Sequence, residues 1–125
     1  MITAPARYPG RAQIDAYGNG GFRFAGMSHR GSILCLPSGI YAWPPTRPDE
    51  VSLQSLAPAL TECDQLALLL LGTGRVGAPP SRQLSEGCAR LGVALEAMDT
   101  GAACRTYNVL LAEGRSVGAA LIAVG

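Results

Sequence analysis

In the second half of this chain, short apolar runs alternate with apolar stripes at helical spacing. Leu66-Ala67-Leu68-Leu69-Leu70-Leu71 runs into Gly72-Thr73-Gly74-Arg75, and Val93-Ala94-Leu95-Glu96-Ala97-Met98 runs into Asp99-Thr100-Gly101. A short apolar run bounded by glycine predicts a buried strand. Between the two runs, Pro79-Pro80-Ser81 opens a helix with Leu84, Cys88 and Leu91 on one stripe, closed by Gly92. A further helix starts near Ala102, buries Ala103, Cys104, Tyr107, Leu110 and Leu111, and ends at Gly114. Val117 to Val124 is a last strand, apolar enough to lie inside a sheet. A strand–helix–strand crossover makes its strands parallel. Both glycine-bearing loops should therefore leave the sheet at one rim, where open α/β sheets hold ligands.

The first third follows another rhythm. Residues 1–13 have little periodicity and predict an irregular arm. Ile14 to Tyr17 forms a short strand closed by Gly18-Asn19-Gly20-Gly21, and Phe22-Arg23-Phe24-Ala25-Gly26-Met27 a half-buried one. Ser28-His29-Arg30-Gly31 then turns the chain into Ser32-Ile33-Leu34-Cys35-Leu36, so 14–36 reads as an antiparallel β-hairpin unit. Pro37 to Pro48 contains four prolines and predicts a long fixed loop carrying Tyr41 and Trp43. Ser52 caps a short helix with Leu53, Leu56 and Leu60 on one face, which Pro58 should kink or split. With 65–124 as the α/β half, the 125 residues read as a single domain: an antiparallel unit followed by βαβαβ.

Composition narrows the classes. Charged residues are 15% of the chain and the net charge is +1, which leaves no electrostatic footprint for nucleic acid. All ten cations are arginine. The four cysteines (Cys35, Cys63, Cys88, Cys104) include no CxxC pair, and His29 is the one histidine, so no zinc spacing is present. Each cysteine lies in or beside an apolar segment, the pattern of core thiols in a reducing compartment. With no basic-then-apolar leader and no membrane-length apolar run, the expectation is a soluble, cytoplasmic protein without direct membrane insertion.

Candidate chemistry concentrates on the two loops. Gly72-Thr73-Gly74-Arg75-Val76-Gly77 has the GxGxxG spacing, yet Pro79-Pro80 delays the helix that a dinucleotide site needs at once. A plain glycine-rich turn is the leading reading. Asp99-Thr100-Gly101 feeds a helix whose free amides favour either an anion or an acidic cap. Arg105 and Asn108 flank its buried stripe and point either into a crevice or at neighbouring loop carbonyls, the latter, structural use being the leading reading. The candidate ligand crevice therefore comprises Gly72, Thr73, Gly74, Arg75, Thr100, Gly101, Arg105 and Asn108. Cys104 reads as a core thiol and His29 as an exposed turn residue; no catalytic set, metal site or cofactor site emerges.

Tyr17-Gly18-Asn19-Gly20-Gly21-Phe22, Gly31-Ser32-Ile33-Leu34, Pro37-Ser38-Gly39, Trp43, Gly72-Thr73-Gly74 and the block Thr100 to Leu110 resemble a small domain family of unknown function. That family includes the mitochondrial respiratory complex I assembly factor 3. The likeness runs from Ile14 to Val124, with Arg105-Thr106-Tyr107-Asn108 in its most specific block. The resemblance implies a three-layer α/β domain with a mixed sheet and an N-terminal β hairpin. It points to Gly72, Thr73, Gly74, Thr100, Arg105 and Asn108 without assigning any of them a catalytic role. It also implies action through protein partners.

The leading expectation is thus a non-enzymatic, assembly-factor-like accessory domain that binds an unidentified protein through Tyr41 and Trp43 on an exposed aromatic–proline loop. A bacterial-looking composition points away from a direct mitochondrial role. The alternatives are a small-molecule or anion binder, an enzyme included, using the crevice between 72–75 and 99–105, and a homo-oligomer.

Overall fold

The computed structural model describes residues 5–125. β1 (Ala16–Gly18), β2 (Gly21–Phe24) and β3 (Met27–Arg30) form a small antiparallel sheet. They are followed by β4 (Ser32–Leu36), β5 (Gly39–Trp43), α1 (Leu53–Leu60), β6 (Leu68–Gly72), α2 (Arg82–Ala89), β7 (Ala94–Met98), α3 (Thr100–Ala112) and β8 (Val117–Leu121). These five strands make one mixed sheet in the order β5-β4-β8-β6-β7. β6 runs parallel to β7 and β8, while β4 runs antiparallel to β5 and β8. The α/β class and the N-terminal antiparallel unit are as the pattern predicts, and the mixed sheet is as the resemblance implies.

Strand alternation divides the core in two. Leu69 and Leu71 face one way and pack with Leu56 of α1 and with Leu84 and Cys88 of α2. Leu70 faces the other way, into Cys104 and Tyr107 of α3 and Phe22 and Phe24 of the small sheet. The result is three layers, with the large sheet in the middle. Gly87 in α2 admits Leu53 of α1: a Cβ there would lie 2.8 Å from Leu53 Cδ1. Among the described residues no helix is long and apolar enough to cross a membrane.

Three local expectations need correction. Ser28-His29-Arg30 is strand rather than turn, and β2 and β3 reverse through Ala25-Gly26 instead. Both of those residues have positive φ (51° and 75°), as a tight hairpin turn requires. Consequently β3, not β4, pairs with β2, and β4 joins the large sheet. His29 is half-buried within β3 rather than exposed in a turn.

The stretch expected to be all loop contains β5. Its prolines stand at 37, 44, 45 and 48, outside Gly39–Trp43, so every ladder donor of that strand survives. α1 runs unbroken through Pro58, which lies near its C-terminal end, and is anchored by a reciprocal Ser52/Ser55 capping box. Of the N-terminal arm, residues 1–4 lie outside the described residues; the rest carries one isolated bridge, Tyr8 to Ile40.

Candidate functional site

Because β6 and β7 are parallel and in register from Leu68↔Ala94 to Gly72↔Met98, the loops that follow them emerge side by side. Their polar groups meet directly. Thr73 N–H donates to the Met98 carbonyl at 2.9 Å, and Thr100 N–H to the Gly74 carbonyl at 2.8 Å. The Thr100 hydroxyl accepts from Gly74 N–H at 2.9 Å and donates to the Ile122 carbonyl at 2.7 Å. The Thr73 hydroxyl accepts from Ala78 N–H at 3.1 Å and lies 2.8 Å from the Val76 carbonyl.

Thr100 is fully buried and Thr73 nearly so, at 0% and 4% exposure. A buried hydroxyl must be hydrogen-bonded to avoid a desolvation cost, and both are. Glycine completes the closure: a Cβ on Gly72 would stand 3.0 Å from Thr100 Cα, and Gly74 has φ +100°. The expected rim is therefore real, but the space between the two loops is filled by their own contacts.

The other candidate residues diverge from this point. Asp99, not Thr100, caps α3, through Oδ1 to Ala102 N–H at 2.9 Å. Gly101 lies under Tyr17, whose Cζ would be 2.8 Å from a Cβ there, with Nη1 of the exposed Arg105 beside it. Arg75 is exposed and donates to the Gly125 carbonyl at 2.7 Å.

Asn108 reaches neither loop. Its Oδ1 accepts from Ile14 N–H and its Nδ2 donates to the Ile14 carbonyl, both at 2.8 Å, in the manner of a strand neighbour. Trp43 corrects the expected exposed partner surface. It is only 4% exposed and donates Nε1–H to the Ser55 carbonyl at 2.8 Å, because β5 alternation turns it into the core. Tyr41 is half-buried, its hydroxyl 2.6 Å from Ser38 Oγ.

The remaining titratable groups behave as core or surface. Burial pushes the Cys104 thiol up to about 12, and burial raises Cys35 and Tyr107 of the same cluster as well. A thiol so far from ionising is a poor nucleophile. Beside the first loop, a shallow depression of about 450 Å³ is lined by Thr73, Gly74, Arg75 and Val76, by Arg47 and by the segment after β8. Arg47 there had no distinguishing local pattern; its guanidinium faces Asp49 at 3.3 Å.

The family described as "Protein of unknown function (DUF498/DUF598)" matches residues 14–122. This chain belongs to that family. Among DUF498/DUF598 relatives, an uncharacterized protein of Rhodobacter capsulatus is 42% identical over 122 residues, covering 98% of this chain and 93% of that protein. Human NADH dehydrogenase (ubiquinone) 1 alpha subcomplex assembly factor 3 is 30% identical over 109 residues, which is 87% of this chain and 59% of the factor. The chain thus spans less than two thirds of the human factor's length.

Among solved structures, a Bartonella henselae protein described as an outer membrane protein superposes with TM-score 0.92 at 50% identity, covering 95% of this chain and 100% of that one. A Rhodopseudomonas palustris protein gives 0.84 at 40% identity, with 98% and 91% covered. In this DUF498/DUF598 chain, the block from Thr100 to Leu110 ties three distant segments to α3: Gly74 and Ile122 through Thr100, and Ile14 through Asn108.

Proposed function

We propose that this chain is a single accessory domain, without catalytic chemistry, that helps a respiratory membrane complex assemble by holding a protein partner. The observation that carries the reading is the match to assembly factor 3 along 87% of the chain. The site geometry fits it. The buried threonines and the Asn108 amide that sequence alone marks as ligand groups hold the chain's own backbone. Four free cysteines accord with a reducing, cytoplasmic compartment.

The test is deletion of the gene in its own organism, with assembled NADH dehydrogenase followed by native electrophoresis of the membranes. The expected result is a loss of the mature complex, restored by the plasmid-borne gene. An unchanged level of complex in the deletion strain overturns the proposal.

A further inference from the structure

The two edges of the large sheet are finished differently. At β5 the chain's own arm lies alongside: Arg7 N–H donates to the Ile40 carbonyl at 2.7 Å, and Ile40 N–H to the Tyr8 carbonyl at 2.9 Å. β7 is the opposite edge, and among the described residues it pairs with β6 alone.

The phase of that pairing is set by Ala94 N–H donating to Ala67 at 3.0 Å and by Met98 accepting from Thr73 at 2.9 Å. Ala94, Glu96 and Met98 therefore direct their backbone groups at β6, and Leu95 and Ala97 direct theirs outward. None of those four outward groups has a backbone or side-chain partner among the described residues. The strand is nonetheless anchored, because the Leu95 and Ala97 side chains pack against the core shared with α1 and α2. An anchored strand with a free row of donors and acceptors is a template for one more strand.

A second copy of this chain fits that template badly. The antiparallel register that engages all four outward groups pairs Leu95 with Ala97 of the other copy and sets Glu96 against Glu96. That pair falls at the non-hydrogen-bonded position, where Cα atoms approach to about 4.5 Å and like charges repel. Glu96 is exposed, and any strand added here must answer it.

The geometry points to an extended segment of a partner protein, added antiparallel to β7, with lysine or arginine opposite Glu96. Main-chain hydrogen bonds to Leu95 and Ala97 hold the segment, and the cation selects it over a second copy. This inference rests on the accessory-domain reading and names the surface through which the partner is held.

The probe is this same chain carrying Glu96→Arg, whose β7 offers an identical backbone with a cation at the facing position. Isotope-labelled wild-type protein is mixed with an excess of unlabelled Glu96→Arg, and amide hydrogen exchange is read by NMR. The Leu95 and Ala97 amides should slow by about tenfold or more, and remain fast in either protein alone. Raising the salt should weaken the effect, since the new ion pair is exposed.

Adding Ala97→Pro to the unlabelled chain removes an outward donor while sparing the β6 ladder, so the slowing should disappear; the rest of its own spectrum reports whether it is folded. No slowing in the mixture overturns the proposal. Equal slowing in wild-type protein alone also overturns it, assigning the edge to a second copy. If the edge is inert while gene deletion still depletes NADH dehydrogenase, the accessory role stands and this surface is wrong. If the edge responds while deletion changes nothing, the docking site stands and the assembly role is wrong.

Discussion

Gly74 and Thr100 exchange two hydrogen bonds, Gly74 N–H to Thr100 Oγ1 at 2.9 Å and Thr100 N–H to the Gly74 carbonyl at 2.8 Å. The same hydroxyl donates to Ile122 at 2.7 Å, so one buried side chain ties the ends of β6, β7 and β8 together. A threonine at a strand-to-helix junction looks like a ligand group in sequence. Here it closes the rim on which a ligand would sit.

Replacing Thr100 by valine keeps the shape and removes the hydroxyl, which leaves the part-buried Gly74 donor and the buried Ile122 acceptor without that partner. The expected loss is about 2–4 kcal/mol of unfolding free energy, read from urea denaturation. Thr100→Ser retains both bonds and loses one methyl, so it should cost nearer 1 kcal/mol. Equal effects from the two substitutions would show that packing, not hydrogen bonding, matters at this position.

Two glycines beside the rim should respond to alanine to different extents. At Gly72 the new Cβ meets Thr100 Cα at 3.0 Å, and backbone cannot step aside. A loss of about 1–3 kcal/mol is expected there. At Gly101 the obstacle is the Tyr17 ring, on a side chain 44% exposed and free to swing outward. The gain in helix propensity, at most about 1 kcal/mol in the first turn, offsets part of that displacement. Thermal unfolding of both variants, with the Tyr17 ring NMR signals to report its movement, separates the two cases.

The large sheet was legible because its inner strands are buried on both sides: Leu66 to Leu71 and Val117 to Val124 had no other plausible environment. The rim was legible because parallel strands place Thr73 and Thr100 together whatever their side chains do. β5 was hidden by its flanking prolines, although those inside the loop never occupy a ladder position. β3 was hidden because Ser28, His29 and Arg30 belong to a small, half-solvated sheet with no apolar run to announce it. For Asn108 the structural use was legible but its partner was not. Its partner, Ile14, lies 94 residues away, and no local pattern records such a pairing.

That pairing is itself testable. Asn108→Leu removes both bonds to Ile14 and leaves its backbone groups to water, which should loosen the arm more than the core. We expect a loss of about 1–2 kcal/mol and faster hydrogen exchange at Ile14. Asn108→Asp keeps the acceptor for Ile14 N–H but sets a carboxylate oxygen against its carbonyl, so it should be no better than leucine. An Ile14 amide that exchanges as in the wild type in both variants would mean the arm is held by packing alone.

Thiol chemistry offers a third check on the core. Cys35, Cys88 and Cys104 are buried, and burial raises all three thiols, whereas Cys63 is partly exposed. In native buffer near neutral pH, iodoacetamide should label Cys63 and spare the rest until denaturant is added. Rapid labelling of Cys104 in the folded protein would reopen its candidacy as a nucleophile.

Burial, followed by the positive charge of Arg7, lowers the His29 pKa below its ordinary 6.5, and a backbone hydrogen bond at Ser32 only partly opposes this. The fold therefore prefers neutral imidazole, so below 6.5 the unfolded chain binds the proton first. Stability contributed by neutral His29 is complete above 6.5 and declines as pH falls through the lower folded value. The unfolding midpoint should drop between about pH 7 and pH 5, the range where histidine titrates. His29→Gln should flatten that slope, and Arg7→Gln should make the decline smaller, because removing the nearby charge brings the folded pKa back toward 6.5. If the slope is the same with glutamine at 29, carboxylates elsewhere set the acid response and β3 has no part in it.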